Sequence, residues 1–327
     1  MNIKVSELQG ETWKRLIGLR SRLPHALLLH GPAGVGKLGL AERFGQWLVC
    51  ESPAGLDPCG RCEGCRWMLA GSHPDVRILE PEVLALARRT PEAEPEEEPR
   101  ARDTKPSNQI RIEQTRALGD FVHVVSHRGG LRIAIIHPAE DMNTATANSL
   151  LKSLEEPPAG AVFILVSHRP ARLLPTIRSR CVPVAVPLPD AKAAAAWLAS
   201  QGVKNAPQWL AFAGGAPLRA LEYAAGDRGE AIERVLRAMA AGDRAALADV
   251  RDREALEPLA EVLQKLALDR AFGALAGRGK YGGGGTSGDP RAWLAYARAM
   301  GRQRALTRHP LNHKLFAAEM VAGMPAK

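Results

Sequence analysis

His25-Ala-Leu-Leu-Leu-His-Gly-Pro-Ala-Gly-Val-Gly-Lys-Leu-Gly-Leu-Ala-Glu-Arg-Phe44 is the stretch on which the fold turns. Its first six residues are a short apolar run that stops at Gly31. Gly31-Pro-Ala-Gly-Val-Gly-Lys37 follows, and after it apolar residues recur at helical spacing. This order predicts strand, glycine-rich loop, helix, the arrangement in which inward-turned backbone N–H groups cradle phosphates. Gly31, Gly36 and Lys37 occupy the fixed places of the motif G-x-x-x-x-G-K-[ST], with Gly34 between them. The last place, where a hydroxyl would hold Mg²⁺, is Leu38, and an aliphatic side chain cannot ligate a metal.

Outward from the loop, Leu131–Ile136 reads as a β-branched strand, and in a hydrolysing enzyme such a strand would end in Asp-Glu. Here it ends in His137-Pro138, while Glu140 and Asp141 come a few residues late. Two metal positions are lost together, so the chain is expected not to hydrolyse ATP by itself. Nucleotide binding without turnover at Gly31, Gly34, Gly36 and Lys37 stays open. A motor using an unusual metal site around Glu140 or Asp141 is the competing enzyme reading.

Helices are predicted over Ile110–His123 and Asn143–Glu156, the second ended by Pro157-Pro158. Ala161–Ser167 reads as a buried strand and Val182–Val186 as a last one before Pro187-Leu-Pro189. Strands alternating with helices imply right-handed crossovers and a parallel sheet. An α/β domain is therefore expected over 1–187. A helical segment follows over 188–226, and a second all-helical domain over 227–327. Pro91-Glu-Ala-Glu-Pro-Glu-Glu-Glu98 cannot bury enough apolar surface to order itself, which predicts a disordered acidic loop over about 88–107. The Gly-rich run 282–288 is expected to be a loop between helices. No role is assigned to either stretch.

Cys50, Cys59, Cys62 and Cys65 have the spacing C-x8-C-x2-C-x2-C, with Gly60 and Gly64 supplying tight turns. A structural Zn²⁺ held by four thiolates is the favoured reading. A redox dithiol or an iron–sulfur site is the alternative, and His73 could compete as a ligand. Thr176-Ile-Arg-Ser-Arg-Cys181 carries two arginines between the last two strands. Such arginines suit phosphate work, including stabilisation of a transferring γ-phosphate in trans, or else simple pairing with a surface carboxylate.

The chain has 327 residues, of which 46% are hydrophobic and 24% charged, with a formal net charge of +9. That composition excludes a wholly disordered chain, a collagen and a small disulfide scaffold. Its apolar runs are far shorter than a bilayer span and its N-terminus lacks an apolar signal core, so a cytoplasmic protein without membrane contact is expected. The positive balance favours nucleic acid as a neighbour. A zinc-dependent nucleic-acid-binding module is a third reading of the cysteines and the charge. No repeat of 20–50 residues is visible.

The loop Gly31–Lys37, the cysteine cluster, Asn148-Ser-Leu-Leu-Lys-Ser-Leu-Glu-Glu-Pro-Pro158 and Ser179-Arg-Cys181 occur in one order. In that order they resemble the bacterial clamp-loader subunits of the AAA+ class, over roughly residues 20–225. His309-Pro-Leu-Asn312 also resembles the family's collar domain. The resemblance implies an AAA+ domain with an inserted zinc module, a helical lid and an oligomerising collar. It implies a hetero-pentameric ring with gamma or tau motor subunits and a delta subunit, loading a sliding clamp on primed DNA as part of DNA polymerase III. It makes Arg180 an arginine finger offered to the ATP of a neighbour, and the chain a non-hydrolysing stator. A motor-type member of the same family is the alternative. Arg219 resembles the sensor-2 arginine of active members, which keeps nucleotide binding open.

Overall fold

The computed structural model describes residues 8–88, 106–124, 126, 130–277, 279, 288–307, 309 and 312–325. Five strands form one wholly parallel sheet: β1 (Ala26–His30), β2 (Val76–Leu79), β3 (Arg132–Ile136), β4 (Ala161–Ser167) and β5 (Val182–Ala185). Their order is β2-β3-β4-β1-β5. β1 lies between the central strand β4 and the edge strand β5, in register with β4 from Ala26 opposite Phe163 to His30 opposite Ser167. All seven residues of β4 are buried, as befits a parallel strand covered on both faces. β5 tolerates Pro183 because it is an edge, where a missing N–H costs little.

Three crossover helices form where helices were expected, with small shifts at their ends. Lys37–Val49 opens directly from the glycine loop. Ile112–His123 starts two residues later than predicted, since Ile110 bridges to Met142 and the Arg111 N–H is capped by Gln114 Oε1 at 2.8 Å. Thr144–Glu155 is capped by Asn143, whose Oδ1 accepts from the Thr146 N–H at 2.9 Å. Sequence reasoning missed β2 and the helices Gly10–Gly18, Glu63–Ala70 and Glu82–Arg88. β2 is only four residues long, with an exposed Arg77 that breaks the apolar run. One face of the sheet packs Ala134, Ile136, Phe163 and Leu165 against Leu118, Leu150 and Leu154.

The chain divides into two compact units, Met1–Leu188 and Pro189–Lys327. The sheet and the cysteine cluster belong to the first. Among the described residues the second has helices only, and the segments expected over 188–226 and 227–327 share it. Trp209, Phe212 and Tyr223 of its first part cluster with Val262 of the 21-residue helix Leu256–Ala276. That helix packs in turn with Trp293, Tyr296 and Met300 of Pro290–Leu306. Among the described residues no helix is long and apolar enough to cross a membrane. The acidic run 91–98, residues 282–287 and Pro310-Leu311 lie outside the described residues.

Candidate functional site

The glycine loop leaves β1 at the C-terminal edge of the sheet, where open parallel sheets place their ligands. Gly31, Gly34 and Gly36 all have positive φ (155°, 78° and 91°), conformations that favour glycine. A Cβ on Gly31 would stand 2.1 Å from the Val186 carbonyl oxygen, so the loop packs backbone to backbone beyond β5. Lys37 is only 2% exposed. Its Nζ donates to the carbonyl oxygens of Gly31 at 2.8 Å and Pro32 at 2.5 Å. The ammonium that would neutralise phosphates is thus folded onto its own loop. Burial lowers its pKa to about 8, against the opposing pull of Glu140. Gln9 braces the same loop, its amide donating to Val35 O at 3.3 Å and Pro187 O at 2.9 Å.

Two histidines sit at the ends of neighbouring strands beside that lysine. The His137 and His168 rings meet edge to face at 5.3 Å. Burial, then His168, Arg88 and Lys37, push His137 down to about 3. Burial and Lys37 push His168 down to about 4, against the pull of Glu140. Glu140 accepts the His168 N–H at 2.9 Å from the short helical turn Ala139–Asp141. Where the first acid would hold a metal stands His137, paired with His168 from the end of the next strand, both depressed by burial and by the charge of the folded-in lysine. Sequence reasoning missed His168 and Gln9. His168 had a signal, since it directly follows a buried strand as His137 does; Gln9 had none.

The cysteine prediction assembles. The Sγ atoms of Cys50, Cys59, Cys62 and Cys65 lie within 4.8 Å of one another. Cys59 to Cys65 and Cys62 to Cys50 are each 4.0 Å. Thiolates about 2.3 Å from a tetrahedral zinc stand about 3.8 Å apart, so the donor set fits such an ion. The N–H groups of Cys59, Cys62 and Cys65 each donate to a neighbouring sulfur at 3.3 Å, which favours thiolates. Burial pushes Cys50 and Cys65 up, while N–H donors from Arg61 and Cys62 pull Cys59 down to about 6. A Cβ on Gly64 would press to 2.8 Å from Val49 O, which explains a glycine between two ligands. His73 is not in the cluster: its Nδ1 accepts the Asp75 N–H at 3.0 Å and its ring meets Trp67. Among the described residues this is the one grouping of three or more candidate ligands, so Glu140 and Asp141 do not join a second.

Arg180 stands at the end of the helical turn Pro175–Arg178 and its continuation. Leu173, Ile177 and Cys181 are buried in the sheet's core and pin this segment from below. Burial pushes the Cys181 thiol up to about 12, so it is an apolar anchor. Arg180 donates through Nη1 to Thr176 O at 2.8 Å and pairs through Nη2 with Glu155 Oε1 at 2.5 Å. Arg219, in the helical unit, lies 5.4 Å over the Tyr223 ring and 3.9 Å from Glu261 Oε1.

The family model described as DNA polymerase III, delta subunit, matches residues 10–189. The chain is 44% identical over 216 residues to the DNA polymerase III subunit delta' of Pseudomonas aeruginosa, covering 65% of this chain and 59% of that protein. It is 32% identical over 219 residues to the subunit delta' of Escherichia coli K12, covering 66% of this chain and 59% of that one. The matched stretches thus span about three-fifths of these relatives' lengths. A gamma subunit-related protein of DNA polymerase III from Thermotoga maritima shares the fold, with a TM-score of 0.50, 18% identity and coverage of 96% and 97% of the two chains.

Proposed function

Because the chain belongs to the family described as DNA polymerase III, delta subunit, we propose that it is the delta' subunit, a non-hydrolysing stator, of a replicative clamp loader. In this role it assembles with motor and delta subunits into a five-membered ring that sets a sliding clamp on primed DNA. Arg180 is its finger, directed in trans at the γ-phosphate held by a neighbouring motor. A planar guanidinium stabilises the charge that spreads over a transferring phosphoryl group.

The observation that carries this reading is the state of the nucleotide loop. Lys37 donates inward to Gly31 and Pro32, Leu38 stands where a hydroxyl is needed, and His137 stands where a carboxylate is needed. A chain with these groups has the shape of a motor without the groups that hold Mg²⁺. The surface position of Arg180 and the buried anchor Cys181 support the finger. Arg219 is engaged by Glu261 and Tyr223, which favours a structural duty for it over nucleotide binding. Cys50, Cys59, Cys62 and Cys65 would hold a structural zinc, which would tie the end of helix Lys37–Val49 to the start of Glu63–Ala70.

Reconstitution with motor and delta subunits tests the proposal. Arg180→Ala is expected to assemble normally yet lower the loader's DNA-stimulated ATP turnover. The chain alone is expected to turn over no ATP. Hydrolysis by the isolated chain that Lys37→Ala abolishes would establish the motor reading instead.

A further inference from the structure

We propose that Glu155 is the positioning residue for Arg180, fixing the guanidinium so that its free edge meets the neighbour's phosphate; this rests on the finger reading above. Helix Thr144–Glu155 and the turn Pro175–Arg178 approach each other over one shared core. Leu150 and Leu154 of the helix pack in the same cluster as Leu173, Ile177 and Cys181. Glu155, next to Leu154, and Arg180, next to Cys181, are thereby brought face to face at the surface. The pair closes at 2.5 Å.

Stability does not explain the contact. The two side chains are 33% and 48% exposed, and ion pairs in that range contribute little. Glu155 also occupies the last turn of its helix, followed by Glu156, where the helix dipole opposes carboxylates. A placement with that cost calls for another reason. The hydrogen-bond pattern supplies one. Thr176 O takes Nη1 and Glu155 takes Nη2, so the guanidinium is gripped at two nitrogens. Nε–H makes no hydrogen bond among the described residues. A long side chain otherwise free to sample many rotamers is held in one, with a donor left over. Orientation of that kind lowers a barrier because the ordering is done before the phosphate arrives.

The test uses the full chain in the assembled loader, with Arg180→Ala, Glu155→Ala, Glu155→Gln, Glu155→Asp and the double variant Glu155→Ala/Arg180→Ala. DNA-stimulated ATP turnover is resolved into kcat and KM, with assembly followed by gel filtration and folding by thermal melting. Arg180→Ala defines the share of turnover that depends on the finger. Glu155→Ala is expected to cut the kcat of that share about tenfold, with KM for ATP and the melting temperature unchanged. Glu155→Asp should recover part of it, and the double variant should be no worse than Arg180→Ala alone. Loss on Arg180→Ala with none on Glu155→Ala overturns the positioning role and leaves the finger standing. So do additive losses, which would mean that Glu155 does not act through Arg180. Failure of both Glu155→Ala and Glu155→Gln to assemble would make Glu155 an interface residue and equally overturn it. No loss on Arg180→Ala overturns the finger itself.

Discussion

Lys37 and Gly31 carry the argument at the scale of single residues. A lysine at this place in a phosphate loop normally waits for an anion. Here it is buried and satisfied by two carbonyl oxygens of its own loop, with its pKa lowered to about 8 by burial. A phosphate that drew on this ammonium would have to compete with those two carbonyl oxygens. Gly31 is fixed by packing as well as by its φ. Gly31→Ala would drive a methyl group into the Val186 carbonyl, and it is expected to destabilise the chain by about 2–3 kcal/mol, read by urea unfolding. The motif Gly31–Lys37 was fully legible in the sequence because backbone sterics and phosphate chemistry both demand glycine there. The inward turn of Lys37 was not, because it depends on which acceptors the folded loop offers.

Strand ends and turns decide what surrounds that loop. β1, β3 and β4 finish side by side, and so His137 and His168 become neighbours although they lie 31 positions apart in the sequence. Both are held neutral by burial and by nearby cations, with Glu140 in opposition at His168. Their folded pKa values, about 3 and about 4, lie below the ordinary 6.5. The unfolded chain therefore binds more protons between those limits. The stability they contribute is fully present above pH 6.5 and falls as acid is added toward pH 3. His137→Gln should flatten this acid limb, so its melting temperature should fall less between pH 6.5 and 4.5 than that of the wild type. The cysteine turn is the other decisive element. Metal analysis is expected to find about one zinc per chain, lost in Cys62→Ser with a fall of several degrees in melting temperature. A metal-free chain of unchanged stability would end the zinc reading. The spacing of the cysteines announced their convergence. The exclusion of His73 came only with the folded chain, in which the four sulfurs gather without it and its Nδ1 accepts the Asp75 N–H.

The whole molecule has two compact units of different texture. The α/β unit is held by a sheet buried on both faces; the helical unit has a polar knot in its middle. Glu261 is fully buried on helix Leu256–Ala276. Burial alone would raise its carboxyl, but Lys265, the Tyr223 hydroxyl and Arg304 hold it down at about 2. Lys265 Nζ lies 3.0 Å and Arg304 Nη2 3.5 Å from its oxygens. The knot joins helices Pro217–Ala224, Leu256–Ala276 and Pro290–Leu306. Removing one member of such a set strands the others. Glu261→Ala should cost about 3–5 kcal/mol, read as lost hydrogen-exchange protection in residues 189–325. A change below 1 kcal/mol would mean that the knot is dispensable.

By itself the sequence determined the parallel α/β plan, the glycine loop without its metal ligands, the cysteine set and the helical second half. These rest on local rules: alternation, helical spacing, turn-forming glycines and ligand chemistry, each complete within about 20 residues. Tertiary structure decided which distant groups meet. The folding-in of Lys37, the pairing of His137 with His168, the grip of Glu155 on Arg180 and the knot around Glu261 all join residues from separate elements. Their distances follow from how sheet and helices pack, and no local pattern encodes that packing.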